Sequence, residues 1–88
     1  MTEKTVTVTN RAGIHARPSA ILVQTTKNYK CNIYIEKGAD RINAKSIMGI
    51  ITLGAAYGTE LKIITDGEGE KAAAEALVKL FESKFEEE

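Results

Sequence analysis

The sequence predicts an α+β fold in which three helices cover one face of a four-stranded, mainly antiparallel sheet. Four short segments alternate apolar and polar residues, as half-buried strands do, and three others have the spacing or the caps of helices. Their order is strand, helix, strand, strand, helix, strand and helix, which suits helices packed on one side of a sheet. Because 88 residues are enough for one small domain, we expect residues 1–88 to form a single domain.

The four predicted strands are short and rich in β-branched residues, which favour extended structure. In the first strand, Val6 and Val8 point to one side and threonines point to the other. The second and third strands are separated by a short turn and form a hairpin. In the fourth, Ile64 shares the outer side with Lys62. The predicted strands span residues 3–9, 31–36, 41–43 and 60–65.

The three predicted helices are marked in different ways. The first carries Leu22, Val23 and Thr26 at the spacing of a core-facing stripe. The second lies between Ser46, which suits an N-cap, and Gly54, which suits a C-terminal stop. The third is the longest, and its charges suit the helix dipole, with an acid near the start and lysines near the end. The predicted helices span residues 16–27, 46–53 and 70–85.

The chain contains one histidine, His15, and it directly precedes the first predicted helix. Pro18 fixes the helix entry close to it, because the missing N–H of proline would have no intrahelical acceptor in a first turn. The N–H groups of that turn, the helix dipole and the Arg17 guanidinium then converge near the imidazole, and Gly13 allows a sharp bend behind it. This arrangement suits a bound or covalently attached phosphate, since neutral imidazole is a competent nucleophile or base.

Some residues of the first two helices are left over once the core is assigned. Ile21 lies off the core stripe of the first helix, and the apolar residues of the second go nearly all the way round it. A short helix cannot bury all of them against one sheet, so we expect several to be exposed, as at protein-binding surfaces. We call this predicted surface the apolar patch, and it comprises Ala20, Ile21, Gln24, Ile47, Met48 and Ile51.

Composition excludes several classes of function. Twelve Lys and Arg residues balance twelve Asp and Glu residues, so we expect neither nucleic acid nor a membrane surface as a partner. No apolar run approaches the roughly 20 residues of a transmembrane helix, and the first residues lack the features of a signal peptide. Cys31 has no second cysteine to pair with, and one histidine with one cysteine makes no metal site. We therefore expect a cytoplasmic protein that holds no metal.

Two motifs identify the family that the sequence resembles. The first is Asn10-x-x-Gly13-Ile14-His15-Ala16-Arg17-Pro18, and the second, further along the chain, is Lys45-Ser46-Ile47-Met48-Gly49. The pair, in a chain of this length and element order, resembles HPr, the family of histidine-containing phosphocarriers of the bacterial sugar phosphotransferase system. The resemblance spans essentially the whole chain, and it implies a βαββαβα open-faced β-sandwich.

The resemblance also implies roles for particular residues. His15 would accept a phosphoryl group on Nδ1 from enzyme I, which phosphoenolpyruvate charges, and would pass it to the IIA domains of sugar permeases. Arg17 would be the charge partner of that group. Ser46 matches a regulatory site for HPr kinase/phosphorylase in the Gram-positive-like branch, where the modified protein acts with a catabolite-control transcription factor. The apolar patch matches the family's docking surface. Such a protein is a carrier and not an enzyme, needs no cofactor, and we expect it to be a monomer.

The residues alone leave one other class of protein open. A small hydrolase or anion-binding module could use His15 and Arg17 on a phosphate that is not covalently attached. Beyond these two residues and Asn10, little polar chemistry converges, which suits a flat surface better than a pocket. The sequence departs from the family pattern at Ala12, where a polar residue is frequent, and it assigns no role to the acidic residues 86–88.

Overall fold

The computed structural model describes residues 1–86 and contains the predicted strands and helices in the predicted order. Residues 87 and 88, the end of the acidic tail, lie outside the described residues. We number the strands and helices in chain order. The strands are β1 (Thr2–Thr7), β2 (Asn32–Lys37), β3 (Asp40–Asn43) and β4 (Glu60–Asp66), and the helices are α1 (Ala16–Thr26), α2 (Ile47–Leu53) and α3 (Glu70–Glu82).

The four strands form one sheet in the order β1-β4-β2-β3, and every neighbouring pair is antiparallel. Residues that lie opposite each other in neighbouring strands share a face of the sheet. Val6 lies opposite Leu61, and Ile35 lies opposite Ile63, so these buried residues share one face. The three helices pack on this side and the other side stays open, which confirms the predicted fold class.

The core lies between the inner face of the sheet and the three helices. Most of its aliphatic and aromatic side chains are ones that the periodicities placed inward, and Ile50 and Phe85 are additions that they did not single out. Each contributes about 1.5–3 kcal/mol when it is fully buried. The largest of the fully buried apolar side chains are Leu22, Ile33, Ile35, Ile50, Leu61, Ile63, Leu77, Phe81 and Phe85.

The open face of the sheet is mostly polar, with one exception. Arg41 forms an ion pair with Glu36 at 2.7 Å, and its guanidinium lies over the ring of Tyr34. Ile64, predicted on the outer side, is only 3% exposed. Since β4 is an inner strand, Ile64 is flanked in register by Glu3 on β1 and by Tyr34 on β2. The predicted side of the sheet is therefore confirmed for Ile64, and its burial on that side follows from the strand order, which the sequence did not reveal.

The first strand is shorter than predicted. It ends at Thr7, and not at residue 9. The next residue, Val8, pairs with the turn before β4, since its N–H donates to the carbonyl of Thr59 at 2.9 Å and its carbonyl accepts from the N–H of Gly58 at 2.8 Å. Val8 is nevertheless fully buried, as its place in the alternating pattern predicts.

The end of the third helix also differs from the prediction. The helix stops at Glu82 and a short 3-10 turn follows over Lys84–Glu86, in which Lys84 and Phe85 have φ angles of 55° and 56°. This reversal buries Phe85 against Phe81, with ring centroids 4.9 Å apart in an edge-to-face contact. A left-handed backbone costs about 1–2 kcal/mol per residue, and burial of a phenyl ring offsets a comparable amount.

Candidate functional site

His15 occupies the N-cap position of α1, and its side chain is exposed. Its carbonyl oxygen accepts two hydrogen bonds from Ser19, one from the backbone N–H at 3.0 Å and one from Oγ at 2.6 Å. The backbone of His15 is therefore fixed to the first turn of the helix. The imidazole is presented at the surface from a rigid element.

The loop before His15 is held from two sides. The side chain of Asn10 donates to the carbonyl of Gly13 at 2.6 Å, and the N–H of Gly13 donates to the carbonyl of Asn10 at 3.0 Å. On the other side, the N–H of Ile14 donates to the carbonyl of Ala55 at 2.8 Å. Gly13 has a φ of 74°, and a Cβ at this position would lie 2.8 Å from the Ala55 oxygen. Only glycine fits this close approach without strain.

The start of α1 favours an anion. The first turn of a helix leaves its N–H groups without intrahelical acceptors, and the dipole places positive charge there. Pro18 lies in this turn, as predicted, and no acidic residue does. Arg17 is exposed, and no ion pair joins it to another residue in the range 1–86. The guanidinium can therefore turn toward an anion next to His15.

The first two helices run antiparallel, which the sequence did not reveal. The bond from Ile14 to Ala55 joins the start of α1 to the end of α2. At the opposite end, Thr26 Oγ1 donates to the carbonyl of Ala44 at 2.9 Å, which joins the end of α1 to the start of α2. The end of α2 therefore lies beside the start of α1.

Ser46 is the N-cap of α2, as predicted. Its Oγ accepts a hydrogen bond from the N–H of Gly49 at 3.1 Å. Gly54 ends the helix in the left-handed conformation, with a φ of 62°, also as predicted. Because the helices are antiparallel, Ser46 lies at the far end of the pair from His15, and the rise of a helix puts the two residues on the order of 10–15 Å apart.

The apolar patch is exposed to different degrees along α1 and α2, which pack against each other. Ile47, Met48 and Ile51 are 40%, 68% and 42% exposed. Ile21 is half-buried and packs partly against the core. The remaining two members, Ala20 and Gln24, are half-buried and exposed respectively. The predicted exposure of this surface is confirmed.

Tyr57 was missed by the sequence analysis. The residue is 59% exposed, and it lies in the turn after α2. Ala55 and Ala56, which begin this turn, lie against the loop before His15. The available signal was an aromatic residue between two glycines, Gly54 and Gly58, where the chain must turn. Large aromatic side chains that stay exposed in a turn are frequent at protein interfaces.

His15 lies on an exposed part of the surface. A groove of about 460 Å³ lies elsewhere, between β1 and the end of α3, and Val6, Val78 and Phe81 line part of it. Within residues 1–86, no three His, Cys, Asp or Glu side chains are grouped so that they could hold a metal ion. Over the same range, no helix has the length and apolar character needed to cross a bilayer.

The fold and the site together define a class of protein, namely a small open-faced α+β domain that presents one histidine at the anion-favouring start of a helix. The family described as the PTS HPr component phosphorylation site matches residues 2–83. The chain therefore belongs to the HPr family. It is a phosphocarrier of the phosphotransferase system and not an enzyme.

Relatives and solved structures agree with this assignment. The phosphocarrier protein HPr of Treponema pallidum is 47% identical to this chain over 88 residues, and the alignment covers 100% of both proteins. The crystal structure of HPr from Thermoanaerobacter tengcongensis superimposes with a TM-score of 0.96 at 46% identity, covering 100% of this chain and 99% of that one. Crh, a Bacillus subtilis catabolite-repression protein that forms a swapped, intertwined dimer, is 36% identical with a TM-score of 0.77, covering 96% and 97%.

Proposed function

We propose that His15 is the residue that carries the phosphoryl group, accepted on Nδ1 from phosphorylated enzyme I and passed to IIA domains of sugar permeases. The observation that supports this most directly is the position of the only histidine in the chain, exposed at the start of α1 and held there by Ser19. A histidine is a suitable carrier, because its ring nitrogen is a nucleophile toward one phosphoryl donor and a leaving group toward the next acceptor.

Arg17 and the first turn of α1 stabilise the phosphoryl group in this proposal. The group brings negative charge to a helix end that carries no acidic residue. Backbone N–H groups and a guanidinium are the donors that phosphate oxygens prefer, and such charge-assisted bonds are stronger than neutral ones. Donors that are already in place need no rearrangement during transfer.

The apolar patch is proposed as the docking surface for enzyme I and the IIA domains. It lies on the two helices beside the acceptor histidine, and its outermost member, Met48, is two-thirds exposed. Methionine adapts to differently shaped partners because its side chain is unbranched and polarizable. Met48→Ala should weaken transfer through a higher half-saturating concentration of enzyme I, whereas Lys62→Ala on the open face of the sheet should leave it unchanged.

Ser46 is proposed as a site of regulation by HPr kinase/phosphorylase, coupled to a catabolite-control transcription factor. The relative Crh supports such a link, since it is described as a catabolite-repression protein. A phosphate on Ser46 would lie at one end of α2, beside Ile47 and Met48 of the apolar patch. It would add about −1.5 to −2 charges next to an apolar docking surface and so disfavour partners that bury it.

We also propose that residues 1–88 act as one domain, in the cytoplasm and as a monomer. A carrier has to meet a phosphoryl donor and an acceptor in turn, and both need access to the same face around His15. Dimerisation that covered α1 or α2 would block this exchange. Sedimentation at the concentrations used for transfer assays measures the oligomeric state directly. A sedimenting species of twice the monomer mass, such as the dimer that Crh forms, would contradict the proposal.

The test of the proposed function is phosphorylation by purified enzyme I and phosphoenolpyruvate. We expect one acid-labile phosphate per chain by intact mass, located on His15 by fragmentation. The matched control is His15→Gln, which should keep the fold and accept no phosphate. A His15→Gln variant that still acquires an acid-labile phosphate would place the acceptor elsewhere in the chain.

A further inference from the structure

Asn10 is a buried polar residue in the loop that leads to His15, and only 1% of it is exposed. Its Nδ2 donates to the carbonyl of Gly13 at 2.6 Å, while its backbone carbonyl accepts from the N–H of Gly13 at 3.0 Å. The amide side chain therefore closes residues 10–13 into a turn. This hydrogen bond offsets part of the free-energy cost of burying the polar Nδ2 group.

The turn that Asn10 closes is connected both to the segment after α2 and to the start of α1. Ile14 follows Gly13 and donates its N–H to the carbonyl of Ala55, just after α2. His15 comes next, and its carbonyl is held by Ser19. The Gly13 carbonyl that Asn10 holds belongs to the same peptide unit as the Ile14 N–H. Gly13 is two residues before His15 in the chain.

We propose that Asn10 is a positioning residue for phosphoryl transfer. Its amide fixes the Gly13 carbonyl, and through the backbone it holds His15 in the orientation in which donor and acceptor proteins meet the ring. Asn10 does not contact the phosphoryl group in this account. The inference rests on the proposed role of His15 and adds a residue that affects the rate of phosphoryl transfer. An effect on rate is expected because misplacement of a reacting group by about 1 Å can slow a reaction about a hundredfold.

A purely structural role predicts a different result, and Thr26 provides the comparison. Thr26 is fully buried, and its hydroxyl donates to the carbonyl of Ala44 at 2.9 Å. Thr26 thereby joins the end of α1 to the segment before α2, and its hydroxyl also donates to the Val23 carbonyl at 3.2 Å. Like Asn10, it is a buried polar residue whose side chain donates to a backbone carbonyl. It does so at the opposite end of the helix from His15, so its loss should weaken the fold without disturbing the histidine.

The experiment compares Asn10→Ala with Thr26→Val in single-turnover transfer from phosphorylated enzyme I. Varying the enzyme I concentration separates the rate at saturation from the half-saturating concentration. For Asn10→Ala we expect the saturating rate to fall by about tenfold to a hundredfold, with the half-saturating concentration within about twofold of the wild type. Thr26→Val should change neither value by more than about twofold. Equal transfer by the two variants would overturn the proposal.

Asn10→Asp provides a second test that holds even if Asn10→Ala fails to fold. This variant keeps the shape of the side chain, but its ionised carboxylate cannot donate to the Gly13 carbonyl. On acidification the carboxyl group becomes protonated and can donate again. Its transfer rate, divided by the wild-type rate at the same pH, should therefore rise as the pH falls. A ratio that stays constant with pH would contradict the proposed role.

The wild-type protein separates this inference from the proposed function. If it takes up no phosphate on His15, the proposed function fails and the role of Asn10 in transfer fails with it. If it does take up phosphate on His15, and both Asn10 variants transfer as fast as Thr26→Val, only the positioning role is wrong. Amide exchange at Gly13 and Ile14 gives an independent readout, since Asn10→Ala should speed exchange there and Thr26→Val should not.

Discussion

Gly13 shows how strongly a single residue constrains the loop before His15. Its φ of 74° is unfavourable for a side chain, and a Cβ would also lie 2.8 Å from the Ala55 oxygen. Gly38 has a similar φ of 60° but has nothing within 4 Å of the same position. A side chain at Gly38 would strain only the backbone, whereas a side chain at Gly13 would also overlap with Ala55.

Substitution of each glycine by alanine tests this distinction. Gly38→Ala should lower the free energy of unfolding by about 1–2 kcal/mol, because only the left-handed backbone is strained. Gly13→Ala should lower it by about 1–3 kcal/mol more, since atoms have to move to accommodate the methyl group. Urea denaturation measures both values. Equal losses would show that the approach of Ala55 can relax without cost.

Arg17 is expected to affect transfer and not folding. Its side chain is exposed and has no ion pair with a residue in 1–86, so Arg17→Ala should change the free energy of unfolding by less than about 0.5 kcal/mol. Transfer to and from His15 should slow clearly, and Arg17→Lys should recover part of the rate, since it restores the charge without the planar donors. Normal transfer combined with a large loss of stability would make the side chain structural.

At the level of elements, Ser46 combines a structural role with a proposed regulatory one. Ser46→Ala removes the cap of α2 and should cost about 0.5–2 kcal/mol, while Ser46→Asp should be close to the wild type because aspartate is an equally good cap. We expect phosphorylation by enzyme I to be slower for Ser46→Asp, since its charge lies beside the apolar patch. Stopped-flow transfer and thermal unfolding of both variants measure the two effects.

Two results together would contradict the regulatory role of Ser46. These are unchanged transfer in Ser46→Asp and no kinase-dependent phosphate at Ser46 in the wild type. The serine would then act only as the helix cap that the structure shows.

Glu70, the first residue of α3, makes part of the stability dependent on acid. Its carboxylate accepts from the Thr2 hydroxyl at 2.6 Å, the amino terminus lies 2.9 Å from it, and the Gly67 N–H donates to it at 3.2 Å. These contacts lower the pKa of Glu70 from its usual 4.5 to about 2. A carboxylate with a depressed pKa stabilises the fold above its unfolded-state pKa and loses that contribution as the pH falls through the folded-state value.

Glu70→Gln should therefore be less stable than the wild type at neutral pH. The difference should shrink as the pH falls from about 4.5 to about 2, where the wild-type carboxylate becomes protonated. Urea midpoints over this range measure it, and Glu75→Gln in the same helix controls for the loss of one negative charge. If the difference in stability between Glu70→Gln and the wild type does not vary with pH, the charge of the Glu70 carboxylate does not contribute to stability through these contacts.

The elements that the sequence predicts best are those with strong periodicity or clear caps. Both caps of α2, Ser46 and Gly54, and the inward residues of the sheet follow directly from local rules. The end of α3 does not, because Phe85 leaves the helical path to reach Phe81, a contact that helical spacing cannot reveal. Ile64 lies on the open face, as the alternation predicts, but its burial there depends on which strands flank β4, and local rules do not give that order.

On the scale of the whole molecule, the site is assembled from two helices that the sequence could not orient. The motif around His15 predicted the helix start and the anion-favouring surroundings. Two further contacts hold the loop before His15. The bond from Ile14 to Ala55 depends on tertiary packing, and the bond from Asn10 to Gly13 depends on a buried side chain. Neither follows from the local sequence. Ser46 and His15 lie at opposite ends of the helix pair, so any coupling between them acts through a shared partner surface and not through direct contact.

The central claim is that this chain carries a phosphoryl group between proteins on His15, in contrast to a hydrolase that would release it. The most direct test is to isolate the phosphorylated protein, mix it with a IIA domain, and follow both proteins and free phosphate over time. We predict that each phosphoryl group lost from His15 appears on the IIA domain, with inorganic phosphate forming far more slowly. Accumulation of inorganic phosphate at the rate at which His15 loses the group, with the IIA domain unmodified, would contradict the account.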